Sequence, residues 1–236
     1  MSDVINPLDV SRRVGQLERL INDAGITLEL RTDFGYLVRL CETLEDKPYP
    51  TAMFNPLHHH IGPDNGFWIK GTDKAGDVVH LQAVRLDDLT GTNLARELET
   101  LQAFYFDPSV SAEPGENCRS FAHIAKTITG RVCFHGEIWL KPGDNGFRGK
   151  GLAGLLPKLA TSLALAHFQP DFIYGFGYPP LVNNGTIISY GYRHFEPDVV
   201  NWVRPSRDVP LEAWMCWMTY DDLMNSVRGG LLAEAG

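Results

Sequence analysis

Residues 147–160, FRGKGLAGLLPKLA, place three glycines, an arginine and two lysines where a β-rich run hands over to a helical one. Backbone N–H groups at a helix N-terminus, aided by the helix dipole, make a ready anion site, and glycine lets a phosphate approach the backbone. The flanks decide which anion site this is. Upstream, RVCFHGEIWLKP (131–142) reads as a strand, with Val132, Phe134, Ile138 and Leu140 on one face and Cys133, His135, Glu137 and Trp139 on the other. Downstream, Leu152, Leu155, Leu156, Leu159 and Leu163 make the apolar stripe of a helix reaching roughly to His167. Pro157 falls inside that helix, where it removes a hydrogen bond and is predicted to kink the axis.

Several phosphate-binding patterns overlap on this stretch. The triphosphate loop G-x-x-x-x-G-K-[ST] needs glycine where Asp144 stands and Ser or Thr where Gly151 stands, so it fails twice. Gly149, Gly151 and Gly154 spell G-x-G-x-x-G, which would suit a dinucleotide-binding oxidoreductase. That motif follows its strand tightly, whereas KPGDNGF intervenes here, and Asp171 precedes the next strand instead of ending it.

A third pattern, R-x-x-G-x-A at Arg148, Gly151 and Ala153, follows the strand ending in IWLKP. Farther on, NNGTIISYGYRHF (183–195) carries Asn183, Tyr190 and Phe195 at spacings of seven and five. With both motifs in order around a helix and the strand DFIYGF, the chain resembles the GCN5-related N-acetyltransferase superfamily. The resemblance covers residues 131 to about 218, and 66 to 86 more loosely. It departs from the family at His194, where glycine is usual, at Pro157, and in a longer loop at Gly143 to Gly146. It implies an α/β fold with a single mixed, largely antiparallel β-sheet flanked by helices, and acetyl-CoA as the acyl donor.

Site residues follow by the same resemblance. The amides from Gly149 through Gly154, Leu152 and Ala153 included, would hold the pyrophosphate, and Arg148 and Lys150 would supply positive charge. Trp139 and Leu140 would face the pantetheine arm and offer a backbone N–H to the thioester oxygen, where charge develops during attack. Tyr190 matches the general acid and Asn183 a pantetheine contact. For the base, His135 and Glu137 share a face by alternation, and either can act directly or through a water. The same fold also suits a non-catalytic acyl-CoA-binding or regulatory domain, since a fold does not guarantee chemistry.

The rest of the chain sets limits. A net charge of −8 disfavours broad nucleic-acid binding, which comes from neutralising phosphates with Lys and Arg. The four cysteines, Cys41, Cys118, Cys133 and Cys216, form no metal or disulfide pattern. MSDVINPLDV has no apolar leader segment and no run of about 18 apolar residues occurs, so a cytoplasmic protein without a membrane span is expected. His58, His59 and His60 lie among Pro, Asn and Gly and read as a turn or channel wall, with no metal expected. Trp202, Trp214 and Trp217 read as core or interface aromatics, and a homodimer is compatible with them.

No linker or repeat divides residues 1–236, so one domain is expected, with the N-terminal region 1–65 and an insertion at 88–118 left unplaced. Val10, Val14, Leu17 and Ile21 predict a first helix, ITLEL a strand, and DFGYLVRLCETLED a second helix. FWIKGTDKAGDVVHLQAVRL predicts a hairpin, NLARELETLQAFYF a helix, DVVNWVR and EAWMCWMTY two strands, and the end a frayed polar tail. The acceptor is expected to be a small-molecule or peptide amine. Asp87, Asp88, Glu97, Glu99 and Glu137 would suit a cationic one.

Overall fold

The computed structural model describes residues 6–142, 147 and 151–232. Helix α1 (Pro7–Asp23) starts at Asn6, whose side chain accepts from the Leu8 amide, with Pro7 where a missing N–H costs nothing. Strand β1 (Thr27–Arg31) and helix α2 (Phe34–Glu42) follow, the latter capped by Asp33. The expected hairpin is β2 (Gly66–Thr72) and β3 (Val78–Asp88). The stretch that follows β3 holds α3 (Leu94–Glu99), α4 (Pro108–Ser111) and β4 (Asn117–Arg119). Strand β5 (Arg131–Leu140), helix α5 (Leu152–Phe168) and strand β6 (Phe172–Gly177) come next. The chain then forms α6 (Pro179–Asn183), α7 (Thr186–Ser189), β7 (His194–Val203), β8 (Leu211–Thr219) and α8 (Tyr220–Leu232).

The eight strands make one sheet in the order β1-β2-β3-β5-β6-β8-β7-β4. Every neighbouring pair is antiparallel except β5 and β6, which are parallel. This is the mixed, largely antiparallel sheet flanked by helices that the sequence led us to expect. One face, with Phe67, Ile69, Val84, Cys133, Ile173 and Met218, is covered by α1, α5 and α8. The other, with Trp68, Leu81, Ala83, Val132, Phe134 and Met215, lies under α2, α3 and the segment around Phe54.

Three elements differ from the sequence expectation. The helix expected over 93–106 stops at Glu99, because Leu101 takes a positive φ of 65° and the chain doubles back, the Ala103 amide bonding to the Glu97 carbonyl. Phe104 can then stack on Trp202 at 4.0 Å, and the chain crosses the sheet to form β4, an edge strand on β7. The tail expected to fray is helix α8. Thr219 and Asp222 cap it reciprocally, and Leu223, Met224 and Val227 are buried, each worth roughly 1.5–3 kcal/mol.

The third difference lies in β5. Gln82 of β3 stands opposite two residues, Glu137 and Ile138, since Ala83 pairs with Gly136 and Leu81 with Trp139. The extra residue is a β-bulge, with Glu137 at φ +56°. Alternation is broken there, so Glu137 and Trp139 emerge on the face of Phe134, and His135 stays on the face of Cys133. The shared face expected for His135 and Glu137 is therefore corrected.

Candidate active site

The parallel hydrogen bonding of β5 and β6 covers only Val132–Phe134 against Phe172–Tyr174. Beyond it the strands part, and a cavity of about 500 Å3 opens between them. Among the described residues the edge of β5 that faced β6 has no strand partner from His135 onward, so its backbone groups open into the gap. Gly175 sits at the fork, where a Cβ would come within 2.9 Å of the His135 carbonyl oxygen.

On the α5 side of the gap stand Tyr190, Tyr192 and Cys216. Tyr190 follows α7 and is half-buried; burial, reinforced by Cys216, pushes its hydroxyl pKa above the ordinary phenol value. Tyr192 is buried, which pushes its hydroxyl well above that value. Both phenols hold their protons at neutral pH.

A hydrogen-bond chain runs inward from Tyr192. Gln82 Nε2 donates to the Leu156 carbonyl (2.8 Å), leaving its Oε1 to accept from His135 Nε2 (3.2 Å). His135 Nδ1 then accepts from the Tyr192 hydroxyl (2.9 Å). Burial, with a smaller contribution from His80, lowers the His135 pKa to about 3. His80 donates from Nδ1 to the Trp139 carbonyl at 2.7 Å, and its buried Nε2 has no partner among the described residues. These contacts suit His135 to orienting Tyr192. A pKa of about 3 is poorly matched to taking up a proton near neutrality.

On the opposite side of the sheet, Glu137 is almost fully enclosed with Lys47, their side chains 3% and 5% exposed. Its Oε2 accepts from Lys47 Nζ at 2.6 Å, and its Oε1 accepts from the Thr51 amide and hydroxyl at 2.9 Å each. Together they pin segment 47–51 to the bulge. Three of the roughly four acceptor positions of the carboxylate are thus filled, and Lys47 matches its charge. Trp139 anchors the same segment, its indole donating to the Asp46 carbonyl at 3.1 Å. Leu140 packs on the α5 face.

Helix α5 begins beside the gap. Gly151 is its N-cap in left-handed conformation (φ +72°); among the described residues no side chain caps it and no atom lies within 4 Å of where a Cβ would stand. The amides of Leu152 and Ala153 are in the first turn, where helical N–H groups lack partners within the helix. The Gly154 amide is different, since it bonds to the Gly151 carbonyl at 3.0 Å. Gly154 matters by its bareness: a Cβ there would lie 2.9 Å from the Ser189 carbonyl oxygen, so the glycine lets α7 close on α5. Pro157 lies within a helix that runs unbroken to Phe168. Arg148, Gly149 and Lys150 fall outside the described residues. Asn183, the last residue of α6, is exposed near Leu181 of the cavity wall.

The histidine run is used in packing: His58 meets Tyr105 edge-on, His60 meets Phe106, and His59 is buried. The acids expected near an acceptor are dispersed. Asp87, Asp88 and Glu97 line a separate cavity of about 350 Å3 at the other end of β3, where Asp87 bonds to Arg85. The sequence reading missed Lys47, Thr51, Tyr178, Tyr192 and Arg207, all lining the main cavity. Tyr192 alone had a signal, sitting two residues past Tyr190 in the recognised motif.

No protein-family profile and no curated protein matches the chain by sequence. Among solved structures it is similar to NAA60 of Arabidopsis thaliana in complex with acetyl-CoA, at 11% identity and a TM-score of 0.44, covering 83% of this chain and 99% of that one. It is also similar to the spermidine/spermine N-acetyltransferase SpeG of Vibrio cholerae in complex with manganese ions (9% identity, TM-score 0.45, 85% of this chain and 96% of that one). A Vibrio cholerae spermidine N-acetyltransferase in complex with CoA and spermine is 13% identical, with a TM-score of 0.43 over 84% of this chain and 98% of that one.

Proposed function

We propose that this protein is an N-acyltransferase that moves an acetyl or related acyl group from acyl-CoA directly to an amine. The observation that carries the reading is the parting of the parallel pair β5 and β6 beside a glycine-capped helix, with two protonated tyrosines facing the gap. The residues present fit the donor. The glycine N-cap at Gly151 and the first-turn amides of Leu152 and Ala153 suit a pyrophosphate, and the partly apolar gap suits a thin pantetheine arm. The acyl-CoA supplies a thioester, an activated carbonyl with a thiolate leaving group.

The chain's own work is to position and to manage protons. Backbone N–H groups of β5 on the β6 side, past the end of the described strand pairing, can donate to the developing oxyanion. Tyr190 is the acid we assign to the departing thiolate; Tyr192 is held through His135 and Gln82 as a fixed neighbouring dipole. Glu137 is already bonded to Lys47 and Thr51, and His135 is kept neutral, so we assign neither as a base. The amine enters in its neutral form, and its proton leaves to solvent after attack.

The test is release of free thiol from acetyl-CoA on adding amines. Amine-dependent release supports the reading. Tight acetyl-CoA binding with no release across a broad amine panel would favour the non-catalytic acyl-CoA-binding alternative.

A further inference from the structure

We infer that the acceptor is an amino acid with an apolar or aromatic side chain, recognised through its carboxylate by Arg207. This rests on the acyltransferase reading. Helix α5, with Gly151 at its start, packs on one face of the sheet, and on the acyltransferase reading the donor is assigned to that side. The acceptor has the other face, walled by the segment 47–53, by Tyr178 and by the loop between β7 and β8 that carries Arg207.

The charges on that wall disfavour a polycationic acceptor. Among the described residues lining the cavity, Glu137 is the one carboxylate, and both its oxygens are engaged by Lys47 and Thr51. Arg207 is exposed, and none of the ion pairs among the described residues engages its guanidinium. A fork of N–H donors beside a neutralised carboxylate matches an anion, and guanidinium geometry favours a carboxylate held by two bonds. The surroundings are aromatic and aliphatic: Phe134, Trp139, Phe176, Tyr178 and Leu211 line the same space. Such a wall fits an apolar or aromatic side chain next to that carboxylate, with its α-amine turned toward β5.

The experiment pairs L-phenylalanine with phenethylamine, the same amine without the carboxylate, and adds spermidine, using wild-type protein and Arg207→Ala. CoA-induced thermal stabilisation is measured on both proteins as an independent check on the donor site. The expected result is CoA stabilisation unchanged by the substitution, faster acetylation of phenylalanine than of phenethylamine or spermidine, and a KM for phenylalanine raised roughly ten- to a hundredfold in Arg207→Ala. The KM for phenethylamine should not move, which separates carboxylate recognition from a general structural effect. CoA stabilisation with phenethylamine or spermidine preferred, with phenylalanine left unacetylated, or with no effect of Arg207→Ala on phenylalanine would overturn the inference and leave the acyltransferase reading standing. Absence of CoA stabilisation in the wild type would overturn both.

Discussion

The Tyr192 hydroxyl lies 2.9 Å from Nδ1 of His135, at the outer end of a chain that runs through Gln82 to the Leu156 carbonyl of α5. The pair ties the two elements that bound the gap, β5 and the segment after α7, to the helix beneath them. Tyr192→Phe should leave the buried Nδ1 without a donor and cost about 1–3 kcal/mol of stability, read as a lower denaturant midpoint. Tyr190 has no such structural duty in our account. Tyr190→Phe should lower kcat about a hundredfold, the lower end of what general acid catalysis contributes, with CoA affinity unchanged. Equal kcat in Tyr190→Phe and wild type would remove Tyr190 as the acid.

His80 and His135 are buried neutral, with pKa values lowered by burial to about 4 and about 3 from an ordinary 6.5. Below pH 6.5 the unfolded chain takes up protons at these positions and the folded chain does not, so stability must fall as pH falls from 6.5 toward about 4. Each contributes a slope of roughly 1 kcal/mol per pH unit within that window. Denaturant midpoints at pH 7.5, 6 and 5 check this. A flat profile between 6.5 and 5 would contradict neutral burial.

Glu137 and Lys47 form a buried pair at 2.6 Å, and such pairs are costly to break one-sidedly. Glu137→Gln alone should cost about 3–5 kcal/mol, and adding Lys47→Met should restore most of it. If the double variant also turns over at a near wild-type rate, Glu137 anchors the acceptor wall and is not the base. Loss of turnover in a stable double variant would return the base role to Glu137.

With no enzyme base assigned, kcat/KM should rise with pH toward the pKa of whichever amine is used. Two acceptors of different amine pKa should give correspondingly displaced profiles. A shared apparent pKa across both would reveal a titrating protein group and contradict the assignment.

How far the sequence carried this picture depends on how local each signal is. The strand, glycine cap and helix at 131–168 were legible because periodicity and helix starts are written in neighbouring residues, as at Leu152, Leu156 and Leu159. Tyr190 lines the gap; in the sequence it stood out only through the family resemblance. The bulge was hidden because its positive-φ position is occupied by Glu137, where a glycine would have signalled the break. Helix α8 was hidden because its buried face, Leu223, Met224 and Val227, makes sense only against distant helices α1 and α5. Lys47 and Arg207 were missed for the same reason: they reach the cavity from loops separated from β5 by long stretches of chain.

The most direct test of the central claim is ligand-induced thermal stabilisation by acetyl-CoA, CoA and NADH, measured in parallel on the purified protein. A ligand that binds only the folded state raises Tm by mass action, by an increment that grows with its concentration relative to Kd. The account predicts a concentration-dependent rise with acetyl-CoA and CoA and none with NADH. A rise with NADH alone, or with none of the three, would contradict it.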